Sequence, residues 1–113
     1  MHELAICKSL IREAEKIAKE LGASTVREIR VSVGPLSGIN ARQLANVYRM
    51  LSCGTKIADA TLVIDEPKAR ILCKVCFCET SVPVNDLRCR CCHSWRVEIM
   101  SGDELYITEL KVT

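Results

Sequence analysis

Two cysteine pairs, Cys73-Lys74-Val75-Cys76 and Cys89-Arg90-Cys91-Cys92, constrain what this chain can fold into more than any other feature. Each pair is a C-x2-C knuckle, and the residues between Cys76 and Cys89 form a loop that lets the two pairs converge. Four thiolates at that spacing suit the tetrahedral four-sulfur shell that zinc prefers, because one tight turn supplies two sulfurs. The segment holds six cysteines in all, at 73, 76, 78, 89, 91 and 92. The set Cys73, Cys76, Cys89 and Cys92 gives two equal knuckles. Cys91 in place of a neighbour, or His93 in place of Cys92, are alternative donors. An iron–sulfur cluster is disfavoured, since the spacing matches none of the usual ferredoxin runs.

A closed four-thiolate zinc site leaves no position for water or substrate, so its expected role is structural. Metal binding of this kind contributes on the order of 10–16 kcal/mol in small zinc peptides, enough to fold a loop with little core. A redox switch through the remaining Cys78 and Cys91 is open, but nothing in the sequence indicates a lowered thiol pKa there. A nucleic-acid-binding or adaptor ribbon is the competing reading, given Lys74, Arg88, Arg90 and Arg96 with Phe77 and Trp95 to stack bases. Glu79, Asp86 and Glu98 dilute that basic face. The whole chain of 113 residues carries a net charge of only +2 with a pI near 8.1, too mild to imply nucleic acid.

The length bounds the chain to one ordinary domain plus a small appendage. Charged residues interrupt positions 3–20 (Glu3, Lys8, Arg12, Glu13 among them), so no secretory signal is expected there. No stretch approaches the roughly 18 apolar residues of a membrane span. Eight cysteines without a leader point to metal ligands and buried thiols in a cytoplasmic protein rather than to disulfides.

Hydrophobic periodicity outlines the rest. Leu4, Cys7, Ile11, Ala14, Ala18 and Leu21 recur at helical steps, predicting a helix over 3–21 with Gly22 as its left-handed cap. Cys7 lies in that stripe and is expected to be a buried thiol. Residues 26–33 alternate as a half-buried strand, and Gly34-Pro35-Leu36-Ser37-Gly38 is turn chemistry. A second helix is expected from about Asn40, capped by that side chain, with Leu44, Val47, Tyr48 and Leu51 facing inward. Cys53, in its last turn, is expected to pack. Strands follow at 61–65, 97–100 and 105–112. The final strand is expected to return to the N-terminal sheet, making the cysteine segment an insertion. The fold class is therefore α+β: a small sheet packed with two helices (1–70 and 97–113), plus an inserted four-cysteine, zinc-ribbon-like domain (71–96).

The first three residues suggest a second site. The bulky His2 should block removal of Met1, so the Met1 amine, the His2 amide and the His2 imidazole can close adjacent chelate rings. Such a planar nitrogen set suits Ni(II) or Cu(II) better than Zn(II). Glu3 either adds a carboxylate oxygen or serves as an ordinary first-turn acid. His93, the other histidine, either completes such a site or is a polar residue of the zinc turn.

Met1-His2-Glu3-Leu4, Gly34-Pro35-Leu36-Ser37-Gly38-Ile39, Gly54-Thr55, the two cysteine pairs and Ser101-Gly102-Asp103-Glu104-Leu105 together resemble the HypA/HybF family of hydrogenase-maturation nickel metallochaperones. The resemblance covers essentially the whole chain. It implies Ni(II) binding through Met1, His2 and, in some members, Glu3, and a structural Zn(II) on Cys73, Cys76, Cys89 and Cys92. It also implies a non-enzymatic role, with the GTPase HypB and the hydrogenase large subunit as partners and, in some relatives, service to urease. No Ser/His/Asp set or phosphate-binding glycine loop argues for catalysis. The chain departs from the family where glycine follows the second cysteine of each knuckle: here those residues are Phe77 and His93. Arg90 stands in place of a family proline, and Cys78 and Cys91 are additional.

Overall fold

The computed structural model describes residues 2–113; Met1, and with it the terminal amine expected to bind metal, lies outside the described residues. Two compact units emerge: residues 1–32, 39–65 and 106–113 form one, and 33–38 with 66–105 form the other.

The first unit is built from α1 (Glu3–Glu20), β1 (Val26–Val33), α2 (Ala41–Leu51), β2 (Thr61–Asp65) and β6 (Leu105–Val112). Its sheet runs β2-β1-β6, so the last strand does return to lie beside the first. β1 and β2 are parallel, with Glu28 opposite Thr61 and Ser32 opposite Asp65, and α2 lies in the crossover that parallel strands require. The two helices pack together. Cys7, Ala14, Ile29, Val31, Leu44 and Ile57 are essentially sealed from solvent and form the core. Asn40 caps α2 by accepting the Gln43 N–H at 3.0 Å. Tyr48, buried, donates its hydroxyl to the Ala60 carbonyl at 2.8 Å, pinning the turn between α2 and β2. Burial pushes that phenol up to about 12, with the neighbouring Cys7 adding to the rise. On the strand surface Arg30 grips both carboxylate oxygens of Asp65 at 3.1 Å.

Several positions differ from the periodicity. Leu4 and Leu21, expected in the stripe of α1, are 51% and 63% exposed, whereas Glu3 is buried. The buried row is Glu3, Cys7, Leu10, Ile11, Ala14 and Ala18, a stripe rotated toward Glu3 at the first turn. The rotation follows from a tertiary contact, since Glu3 Oε2 accepts the Asn40 backbone N–H at 3.0 Å. Cys53 is exposed rather than packed, its thiol donating to the Arg49 carbonyl at 3.2 Å. The buried side of α2 follows Leu44, Tyr48 and Ser52 at steps of four, which puts the next residue outside it.

The second unit is a three-stranded antiparallel sheet ordered β4-β3-β5, from β3 (Ala69–Cys73), β4 (Glu79–Val82) and β5 (Val97–Ser101). The sequence places β5 in the N-terminal domain; in the structure it pairs with β3, Cys73 standing opposite Val97. The unit accordingly extends beyond 71–96 to include residues 66–70 and 97–105. β3 and β4 were hidden because the cysteines dominate the segment. Yet Ala69, Ile71 and Cys73 alternate inward along β3. The core is small: Ala69, Ile71 and Val82, flanked by Leu36, Leu87 and Val97. Gly34 meets Gly102 backbone to backbone in this unit. The Gly34 N–H donates to the Glu104 carbonyl at 2.9 Å and the Leu36 N–H to the Gly102 carbonyl at 2.7 Å. A Cβ on Gly34 would lie 2.1 Å from the Gly102 oxygen, so only glycine permits this approach.

Candidate metal centre

β3 ends at Cys73, and the chain turns at once through Lys74 and Val75 to Cys76. The same turn recurs at Cys89–Cys92, and the two repeat each other bond for bond. In the first, the Cys73 sulfur accepts the Val75 and Cys76 N–H groups at 3.3 and 3.4 Å, and the Phe77 N–H donates to the Cys73 carbonyl at 3.0 Å. In the second, the Cys89 sulfur accepts the Cys91 N–H at 3.3 Å and that of Cys92, and the His93 N–H donates to the Cys89 carbonyl at 3.0 Å. Each turn is closed by one more pair: Cys73 N–H to the Cys78 carbonyl at 2.9 Å, and Cys89 N–H to the Ser94 carbonyl at 3.0 Å. Phe77 and His93 have φ of 62° and 64°, the left-handed region that glycine favours. These are the two positions where the family resemblance leads one to expect glycine.

The four sulfurs of Cys73, Cys76, Cys89 and Cys92 lie within 4.8 Å of one another. Across the knuckles, Cys73 Sγ is 3.5 Å from Cys92 Sγ and Cys76 Sγ is 3.5 Å from Cys89 Sγ. A tetrahedron with metal–sulfur bonds of about 2.3 Å has edges of about 3.8 Å, so the sulfurs stand where such an ion would hold them. Cys73 and Cys89 are buried, while Cys76 and Cys92 reach the surface.

The electrostatics of the cluster point the same way. The Cys92 N–H, followed by that of Cys91, holds the Cys89 thiol down at about 6. The Cys76 and Val75 N–H groups likewise lower Cys73. At Cys92 the Ser94 N–H works against a rise to about 12, which desolvation and the sulfurs of Cys73, Cys76 and Cys89 impose. Four sulfurs this close cannot all ionise without a cation among them. A divalent ion at their centre would supply that charge, and the four sulfurs could complete a tetrahedral shell around it.

His93 is not among the four: it is exposed, at the left-handed position after Cys92. Cys78 and Cys91 are also outside the set, although the Cys78 thiol is raised by a hydrogen bond with the Cys91 thiol. Around the second knuckle two basic residues, Arg88 and Arg90, have Asp86 as an internal partner. Arg88 chelates Asp86 with Nε and Nη2 at 3.0 Å each and lies 5.5 Å over the Trp95 ring, and Arg90 reaches Asp86 at 3.7 Å. That pairing holds Asp86 at about 2.

At the start of the chain, His2 is the exposed N-cap of α1. Its carbonyl accepts the Ile6 N–H at 2.9 Å, and its side chain makes no capping hydrogen bond. Glu3 is turned inward to Asn40. That tether was invisible in the sequence, because it joins residues 37 positions apart. No described helix is long and apolar enough to cross a membrane.

The family model described as "Hydrogenase/urease nickel incorporation, metallochaperone, hypA" matches residues 1–112. The hydrogenase maturation factor HypA of Nitrosospira multiformis is 35% identical over 112 residues, covering 99% of this chain and 97% of that protein. HypA of Moorella thermoacetica is 35% identical over 107 residues, covering 95% of each. Among solved structures, the Ni metallochaperone HypA from Helicobacter pylori superposes with a TM-score of 0.72 at 27% identity, covering 99% of this chain and 97% of that one. The full-length match, the α+β fold and the four-cysteine cluster agree, and the chain belongs to the HypA family of nickel metallochaperones, maturation factors rather than catalytic enzymes.

Proposed function

We propose that this chain binds Ni(II) as cargo at its N-terminus, through the Met1 amine and the amide and imidazole nitrogens of His2, and passes it on during maturation of a [NiFe]-hydrogenase. The observation that carries this reading is the position of His2. As the N-cap it precedes a turn whose first N–H groups have no intrahelical acceptor, so its amide nitrogen can give up its proton to a metal without breaking the helix. Its imidazole is exposed beside that nitrogen. A terminal site of few ligands exchanges its ion readily, which a carrier needs. Glu3 is the adjacent carboxylate; since its Oε2 holds the Asn40 N–H, a bond from it to nickel competes with that tether.

Cys73, Cys76, Cys89 and Cys92 hold a structural Zn(II) in this reading. When bound, the ion neutralises the crowded thiolates and crosslinks the two knuckles. The protein works in the cytoplasm, where thiols stay reduced. A HypB-type GTPase and the hydrogenase large subunit are its partners, with urease maturation as a further destination.

Isothermal titration of untagged protein with Ni(II) tests the cargo site. His2→Ala should weaken binding at least tenfold, and an N-terminal extension that turns the Met1 amine into an amide should do the same. Equal affinity in His2→Ala and wild type would sink the assignment.

A further inference from the structure

β5 is an edge strand of the sheet β4-β3-β5, with β3 on one side and no strand on the other. The Lys74 N–H donates to the Arg96 carbonyl at 2.8 Å, and the same register runs on through Cys73 opposite Val97, Leu72 opposite Glu98 and Ile71 opposite Ile99. Antiparallel pairs alternate between bonded and non-bonded, so Arg96 and Glu98 direct their backbone groups to β3, while those of Val97 and Ile99 face outward. Of these, the Val97 N–H turns back to the Trp95 carbonyl at 3.0 Å. A row of open donors and acceptors pairs with another strand unless charge, proline or a bulge prevents it. No proline stands between Trp95 and Ser101. The break in register, between Arg70 and Ile71, falls at the far end of the strand.

The side chains decide which strand fits. Arg96 and Glu98 are exposed and two residues apart, which puts them on one face. Among the described residues neither takes part in an ion pair. Alternation puts Trp95, Val97 and Ile99 on the other face, where Val97 packs against the core of Ala69, Ile71 and Val82. Trp95 is nevertheless 70% and Ile99 45% exposed. An antiparallel strand on this edge therefore needs an acid against Arg96, a base against Glu98 and apolar residues between. β5 itself meets that description.

We propose that two copies of this chain associate through β5, antiparallel about a two-fold axis at Val97, joining two three-stranded sheets into one. In this register Arg96 of each copy stands opposite Glu98 of the other, in the closer, non-hydrogen-bonded kind of pair. Trp95 stands opposite Ile99, so the two exposed apolar side chains cover each other. Val97 meets its own counterpart and exchanges both N–H···O bonds with it, its N–H leaving the Trp95 carbonyl. Moving the axis to Glu98 would set two carboxylates directly against each other, so charge fixes the register. The contact is small, and the dimer is accordingly weak and concentration-dependent.

Sedimentation velocity of the full-length protein under reductant, over a concentration series, tests the pairing, and amide exchange on the same samples locates it. The expected result is a dimer that grows with concentration and protects the Ile99 N–H, while β3 is protected throughout. Arg96→Glu and Glu98→Arg should each weaken self-association about tenfold, since each turns two attractive pairs into repulsive ones. An equimolar mixture of these two variants should recover association as a heterodimer, and the double variant R96E/E98R should recover it alone. A monomer at every concentration with β3 protected would overturn the proposal, as would a dimer that neither charge reversal weakens. Failure of both the mixture and the double variant to associate would overturn the register. An unprotected β3 would show that the edge itself does not form, and would overturn the proposal too.

Discussion

Phe77 and His93 adopt a backbone conformation that costs an L-residue roughly 1–2 kcal/mol. The knuckle geometry imposes it, because the N–H of each must turn back to the carbonyl of the first cysteine. Phe77 is also 75% exposed, so little packing offsets the strain. Phe77→Gly and His93→Gly should each stabilise the cysteine-bearing unit by about 1 kcal/mol, seen as a higher thermal midpoint and slower loss of metal to a chelator. No change, or a loss, would mean that the turns are not strained by these side chains. Tyr48 provides a contrasting residue, stabilising through satisfaction rather than strain. Its hydroxyl is the donor to the Ala60 carbonyl inside the core, so Tyr48→Phe should cost about 1–2 kcal/mol in chemical denaturation. A variant as stable as wild type would show that water replaces the hydroxyl.

Among elements, the helices and the first strand follow local rules that sequence displays openly. The apolar steps of α1, the Asn40 cap of α2 and the alternation of β1 were all legible, because each depends on neighbours within a few residues. β3 and β4 were not, since their strand character emerges only from pairing with each other and with β5. The cysteine cluster and this sheet are joined at Cys73, which is both the last residue of β3 and a knuckle sulfur. With only three fully buried aliphatic residues at its centre, the sheet has little else to hold it. Cys73→Ser should therefore abolish metal retention and accelerate amide exchange across residues 66–105, while α1 and α2 remain protected. Uniform loss of protection along the chain would contradict two separately stabilised units.

The whole molecule consists of two units threaded through each other in sequence, since residues 33–38 belong with 66–105. Their place there depends on the Gly34–Gly102 contact, where a methyl group would strike a carbonyl oxygen that cannot move without breaking the Leu36 N–H bond. Gly34→Ala should destabilise the protein by about 2–3 kcal/mol, measured by thermal or urea unfolding. A neutral effect would mean that the loop relaxes freely. From sequence alone came the residue types, the 3.6 and 2.0 periodicities, the equal spacing of the cysteine pairs and the order of the first residues. These are properties of short stretches of chain and need no fold to express them. Tertiary structure alone decided which sulfurs converge, that Glu3 turns inward to Asn40, that Cys53 stays outside, and that β5 joins β3 while β6 joins β1. Each of those outcomes depends on contacts between residues far apart in sequence, and the chain's local pattern is degenerate with respect to them.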